Sequence, residues 1–118
     1  YFCEPLNRDH GVGSCWMYGY FGPGTFHKKP RHDNCEEICY VLKGHGLAGV
    51  GADRGELAPG DVHFIPAGCE HWLANISDSE DLVAPGWYIG VGALDESGFA
   101  YNGPVTDEDI NASRTGQL

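Results

Sequence analysis

Basic residues are scarce in this 118-residue chain, which has 7 Lys and Arg against 17 Asp and Glu and a formal net charge of −10. Proteins that bind nucleic acid need a basic surface, and anionic membrane surfaces attract basic segments. The acidic balance therefore argues against nucleic acid and against a membrane surface as partners. No apolar run approaches the roughly 20 residues of a membrane-spanning helix, so we expect no membrane span.

The five cysteines lack the spacing of a zinc ribbon, because no two of them form a C-x-x-C pair. Their number is odd, and a domain of this length can build a hydrophobic core without disulfides. We therefore predict reduced thiols and a cytoplasmic location.

Glycine is abundant, with 18 residues in 118, and 7 prolines accompany it. Short aromatic, β-branched and apolar stretches alternate with Gly and Pro turn signals about every 8–12 residues, which is typical of a β-sandwich or barrel. The predicted strands are residues 16–21, 37–43, 47–50, 61–65, 71–76 and 87–91, with a turn at 51–55. Near the end of the chain, Thr106 and the acids after it predict the start of a short helix.

Two segments carry side chains suited to a metal ion. The first runs from His27 through His32 to Glu37, and the second contains His71, just after the Pro-Ala-Gly turn at 66–68. Side chains on adjacent strands can project into the interior of one barrel. A set of two His and one carboxylate leaves coordination positions open, which suits iron, manganese, nickel or zinc.

The second of these segments resembles a motif of the cupin family, in which a Gly is followed by five residues, Pro-x-Gly, two residues, His, three residues and Asn. The chain matches this motif at every position, with Gly60, Pro66, Gly68, His71 and Asn75.

The first segment resembles the other cupin motif, His-x-His, three or four residues, Glu, six residues and Gly. His32, Glu37 and Gly44 fit that spacing, but Pro30 stands where the first His of the pair belongs. The resemblance extends from about residue 24 to residue 91.

The resemblance implies an all-β fold, the double-stranded β-helix or jelly roll, with the functional site inside one end of the barrel. We expect a single domain over residues 1–118, with the barrel core at about 16–92 and a short C-terminal helix or tail at 93–118. Cupins that resemble this chain are commonly homodimers that pair through their sheets.

Carried over residue by residue, the resemblance implies that His32, Glu37 and His71 hold one divalent transition metal ion, namely Fe, Mn, Ni, Co or Zn. His27 is a candidate for the fourth ligand. Simple strand alternation turns His27 away from the face of His32, whereas a bulge at residues 28–30 would turn it inward. Both alternatives stay open.

Alternation also predicts which other side chains face the interior. Cys39 shares the inward face of Glu37, where it is either a catalytic base or a small buried core residue. In the strand 61–65 we predict Val62 and Phe64 as the core pair, with His63 pointing outward.

On the strand 37–43, Tyr40 and Leu42 have the opposite alternation to Glu37 and face away from the barrel. Apolar residues on both faces of one strand suggest that the outer face is covered as well. Together with the resemblance, this pattern predicts a homodimer.

The expected function is that of a metal-dependent cupin enzyme acting on a small oxygenated or carboxylated organic molecule. We favour Lewis-acid chemistry of the lyase, isomerase or cyclase type, because an inward Cys39 offers a base. One alternative is a non-haem iron dioxygenase. The other is a cupin that binds or senses a small ligand without turning it over.

Overall fold

The computed structural model describes residues 2–26, 30–101, 105–108 and 110, and strands make up most of them. Two single 3-10 turns, Arg8–His10 and Leu94–Glu96, interrupt the strands. The ten strands are β1 (Phe2–Leu6), β2 (Cys15–Phe21), β3 (Pro30–His32), β4 (Glu36–Tyr40), β5 (Gly46–Val50), β6 (Asp53–Leu57), β7 (Val62–Ile65), β8 (His71–Ala74), β9 (Leu82–Ile89) and β10 (Phe99–Tyr101). The predicted all-β jelly roll is confirmed.

The strands form two main sheets that pack face to face. One sheet has the order β1-β2-β9-β4-β7 and the other the order β6-β5-β8, while β3 and β10 form a separate two-stranded pair. All strand pairs are antiparallel. The main hydrophobic cluster draws on both sheets, so the core lies between them. Its buried members are Phe21, Val41, Ala48, Leu73, Leu82 and Ala84.

The turn predicted at 51–55 is shorter than expected, because only residues 51 and 52 form it. Val50 pairs directly with Asp53, so β5 and β6 are joined by a two-residue hairpin loop that begins at Gly51, where φ is +58°. The polar sequence of β6 resembles a turn because β6 is an edge strand, and one of its faces meets water.

The strands extend beyond the core predicted at 16–92. β1 adds an edge to the larger sheet, and β10 pairs with β3 so that Phe99 lies opposite His32. Further along, residues 107, 108 and 110 are helical, and the Ile110 amide donates a hydrogen bond to the Thr106 carbonyl (3.2 Å). This agrees with the predicted helix start.

The tail packs on the outer face of the smaller sheet. Leu47, Trp72 and Ala74 are buried there, and Val105 and Ile110 pack against them. One face of this sheet therefore meets the core, and the other is covered by the chain's own tail. Within the described residues, no helix is long and apolar enough to cross a membrane.

A tight turn before β8 determines where the site lies. Gly68 adopts φ +74°, which favours glycine, and its amide donates to the His32 carbonyl (2.8 Å). This bond ties the end of β3 to the turn that leads into His71. Two segments far apart in sequence are thereby held close together.

Candidate metal centre

Three buried side chains meet inside the barrel, each from a different strand: His32 of β3, Glu37 of β4 and His71 of β8. One nitrogen or oxygen atom from each lies within 4.8 Å of the others. The structure thus brings together the three residues that the resemblance implied as ligands.

The ring of His32 is oriented by a serine from the far end of the chain. Its Nδ1 lies 2.8 Å from Ser97 Oγ, and the Ser97 hydroxyl donates to the Leu94 carbonyl (2.7 Å). Because the hydroxyl proton is used in that bond, we infer that Nδ1 of His32 donates to Oγ. The lone pair of His32 is then on Nε2.

The ring of His71 is oriented in the same way by the backbone. Its Nδ1 lies 3.2 Å from the carbonyl oxygen of Cys69, and a carbonyl only accepts hydrogen bonds. In the neutral ring, Nε2 therefore carries the lone pair, and it lies 3.1 Å from Glu37 Oε2. A lone pair facing a carboxylate needs a proton or a cation between them.

Glu37 has opposing influences on its ionisation. Burial raises the pKa of its carboxyl, but the hydrogen bond and charge of His71, followed by the charge of His32, bring it below its usual value. The lowering by the two rings requires that they carry charge, so an ionised Glu37 in this buried position needs a cation beside it, either a protonated ring or a metal ion. Burial also raises the pKa of Tyr88 far above its usual range, so its hydroxyl stays protonated, and it donates to Met17 Sδ (3.3 Å).

These observations agree with the donor set of a metal ion. Both rings have Nδ1 engaged by a supporting acceptor, which is the usual arrangement for ligating histidines, since it orients the ring and selects the tautomer. The third donor is a buried carboxylate. We conclude that His32, Glu37 and His71 fit a divalent transition metal.

Cys39 is buried beside this cluster, on the inward face as predicted. Burial raises the pKa of its thiol well above the usual value, and the charge of Glu37 and a hydrogen bond to its carboxylate raise it further. The thiol is therefore protonated at neutral pH. Its role as a base stays a prediction, and the raised pKa weighs against it.

The predicted orientation of β7 is wrong. His63 is only 6% exposed, whereas Val62 and Phe64 are 61% and 49% exposed. The reason is the register between β4 and β7, in which Cys39 lies opposite His63. Directly paired residues share a face, so the inward face of β4 makes His63 point inward too.

A narrow cavity of about 20 Å³ adjoins the cluster. Its polar wall is formed by Glu37, Cys39, His63 and His71. The remaining lining is apolar and consists of Phe2, Met17, Phe21, Ile65, Leu73 and Ala84.

The other histidines stand differently. His27, the candidate fourth ligand, lies outside the described residues, so its role stays a prediction. Pro30 is part of β3 and pairs with Tyr101. His10 and His45 are exposed and belong to no group of this kind among the residues described.

Sequence reasoning missed Ser97, which follows His32 by 65 positions. The segment reaches the site because the amides of Asp33 and Asn34 donate to the carbonyls of Gly98 and Ser97. No spacing rule predicts such a contact. The feature that marks Ser97 as a supporting residue is its full burial, and burial can be seen only in the folded structure.

Comparison with known proteins places the chain in a family. A family model described as a cupin domain matches residues 17–84, more than half of the chain. None of the curated proteins is similar to the chain at a significant level.

Among solved structures, a cupin-like protein from Thermotoga maritima is 24% identical, with a TM-score of 0.77 over 95% of this chain and 82% of that one. A Cupin 2 conserved barrel domain protein from Salinispora arenicola is 19% identical, with a TM-score of 0.59 over 66% and 64% of the two chains.

A recombinant oxalate oxidase in complex with glycolate is 18% identical, with a TM-score of 0.71 over 86% of this chain and 54% of that one. The chain therefore spans about half the length of that oxidase, and the likeness concerns the fold. With the family model, the jelly roll and the two motifs in agreement, the chain belongs to the cupin family.

Proposed function

We propose that this cupin binds one divalent transition metal ion through His32, Glu37 and His71 and acts with it on a small oxygenated or carboxylated molecule. The observation that carries the proposal is the buried carboxylate of Glu37, which faces the Nε2 atom of His71 at 3.1 Å while Nδ1 of that ring is held by the Cys69 carbonyl. Two supported imidazole rings and one carboxylate form the facial type of set that leaves room for a substrate.

When bound, the metal supplies Lewis acidity toward a substrate oxygen or a place for O₂. The protein's own residues prepare that position. Ser97 and the Cys69 carbonyl hold the rings of His32 and His71, and the ring of Tyr88 packs against that of His32 with 4.9 Å between the ring centroids. The apolar side chains that line the cavity keep bulk water away from the cluster.

For the reaction itself, we propose Lewis-acid chemistry of the lyase, isomerase or cyclase type. A second candidate, oxidation by O₂ as in a non-haem iron dioxygenase, has two observations in its favour. The raised pKa of Cys39 removes support for a thiolate base, and the fold is similar to that of an oxalate oxidase.

The metal is tested by elemental analysis of protein purified without added metal, and again after equilibration with Fe, Mn, Ni, Co and Zn in turn. We expect one ion per chain in the wild type and in the control His45→Ala, whose parent side chain is exposed. His71→Ala should lose the ion and keep its fold. If no ion binds to the wild type, a proton shared by Glu37 and His71 explains the cluster instead.

The reaction type is tested by a screen of small carboxylates and hydroxycarboxylates, with and without air, at constant metal content. Turnover that is equal in both conditions supports Lewis-acid chemistry. Turnover that requires air and consumes O₂ supports the oxidation. Tight binding without turnover in either condition identifies a binding or sensing cupin.

We also propose that the chain is a homodimer that pairs through the outer face of its five-stranded sheet. Cross-strand neighbours form an apolar row there, which we call the outer row: Leu6, Trp16, Trp87, Ile38 and Phe64. Leu6, Trp87 and Phe64 are 40%, 38% and 49% exposed. Two chains that each carry a net charge of −10 can approach with least repulsion at such an uncharged row.

A further inference from the structure

His63 is a buried imidazole that the proposed metal set does not use. It lies at the centre of β7, opposite Cys39, and is 6% exposed. Within the part of the chain that the structure describes, neither Nδ1 nor Nε2 has a hydrogen-bond partner. A buried polar atom in that condition destabilises the fold, because it has lost its hydrogen bonds to water and has gained none in the protein.

The ring contributes to the wall of the 20 Å³ cavity that also touches Glu37 and His71. A space of this size holds about one water-sized group. Apolar side chains form most of the remaining wall, so they offer no partner to an oxygen atom placed there. His63 is the member of the polar wall with unpaired nitrogens.

Burial, and to a smaller degree the charge of His71, lower the pKa of His63 to about 4. At neutral pH the ring therefore has one N–H donor and one nitrogen acceptor, and no charge. A neutral ring of this kind can donate a hydrogen bond to an oxygen atom. Unlike a cationic ring, it does not compete with the metal for the negative charge of the substrate.

We propose that His63 is a substrate-binding residue, whose ring N–H donates to an oxygen atom of a small carboxylate or hydroxycarboxylate that reaches from the metal into the cavity. This inference rests on the proposed function, because the metal would hold the other end of the same molecule. His63 is not a fourth ligand, since the donor atoms within 4.8 Å of one another, among the described residues, come from His32, Glu37 and His71.

The test uses the full chain loaded with Co²⁺ and glycolate as the probe. Wild type is compared with His63→Phe, which keeps a planar ring without nitrogens, with His63→Leu, and with the control His45→Phe on the exposed surface. Cobalt content is measured first, then glycolate affinity by calorimetry and by the visible spectrum of the cobalt. Thermal melting identifies the folded variants, and either apolar His63 variant suffices.

We expect one Co²⁺ per chain in all folded variants. The dissociation constant of glycolate should rise about tenfold or more in the apolar His63 variants, as for the loss of a hydrogen bond to a charged group, and stay unchanged in His45→Phe. His63→Gln, which keeps a donor, should recover part of the affinity.

Each other outcome has a distinct meaning. Unchanged glycolate affinity in both apolar variants would overturn the proposal and leave His63 bonded to an internal water only. Loss of cobalt with His63→Phe would make His63 a ligand and overturn it as well. Wild type that binds cobalt but not glycolate contradicts the carboxylate class, whereas wild type without cobalt contradicts the proposed metal function itself.

Discussion

The two faces of the larger sheet reverse the usual distribution of polarity along β4 and β7. The inner face carries Glu37, Cys39 and His63, all buried, whereas the outer face carries Ile38 and the half-exposed Phe64. A barrel that only had to fold would place these residues the other way round, because buried polar groups are destabilising. The reversal agrees with the proposed metal site on the inner face and with the proposed homodimer on the outer face.

The smaller sheet provides a contrast, since its outer face is covered by Val105 and Ile110 of the same chain. The apolar side chains on that face are therefore buried within a single chain. The outer row of the larger sheet has no such cover among the described residues, so substitutions on the two faces of that sheet should have different effects.

The largest effect is expected from Glu37→Gln, which removes the charge from the inner face and keeps the shape. Metal affinity should fall by at least about 100-fold, since even residues that only support a ligand contribute 10- to 100-fold. Competition with a chelator measures the affinity. Glu36→Gln is the matched control, because Glu36 is the exposed neighbour on the outer face, and equal losses in both variants would refute the assignment.

The next effect concerns His63 and pH. Its pKa is about 4 in the folded chain and about 6.5 when unfolded, so on acidification the unfolded chain takes up a proton first. The free energy of unfolding therefore falls, through this one group, as the pH is lowered from about 6.5 to about 4. The fall is about 3 kcal/mol, since one pKa unit corresponds to about 1.4 kcal/mol.

We expect metal-free His63→Phe to lose about 3 kcal/mol less stability than wild type between pH 7 and pH 4. Denaturant unfolding across this range measures the difference. Glu37 and Cys39 of β4 and His71 of β8 face the same space, but they are present in both proteins. Parallel pH curves for the two proteins would show that His63 titrates normally.

A smaller effect is expected from Ser97→Ala, which removes the acceptor of the His32 ring (2.8 Å) without touching a ligand atom. Metal affinity should fall by about 10- to 100-fold, as for other residues that orient a ligating histidine. Chelator competition again measures it. Ser79→Ala, at an exposed serine, should leave the affinity unchanged, and the prediction fails if Ser97→Ala does so too.

The smallest effect is expected on the outer face. Phe64→Ala should weaken the proposed homodimer by about tenfold or more, because burying a Phe side chain stabilises by about 1.5–3 kcal/mol and about 1.4 kcal/mol corresponds to tenfold. Sedimentation over a dilution series measures the equilibrium. Phe26→Ala is the control, since Phe26 is 50% exposed but pairs with Ala74 of the other sheet. Wild type that stays at 12.8 kDa at all concentrations would contradict the dimer.

Much of the fold could be predicted because turn chemistry is local. Glycine and proline between short apolar stretches indicate strands wherever they occur, and the spacing from Gly60 to Asn75 identified the turn that delivers His71. The sequence does not reveal the edge strand β6, because an edge strand can carry polar residues on its open side and then resembles a loop.

The orientation of His63 could not be predicted from its own strand. Alternation says that His63 and Phe64 lie on opposite faces, but it does not say which face is inside. The usual preference for apolar cores selected Phe64, and the pairing of His63 with Cys39 decided otherwise.

The sequence by itself determined the family, the strand-rich class and the three residues that meet at the candidate metal centre, because motif spacing and turn residues act over short distances along the chain. Only the tertiary structure decided that Ser97 supports His32 and that His63 faces the cavity. These features depend on contacts between strands distant in sequence, and the register of those contacts is set by the packing of the whole barrel.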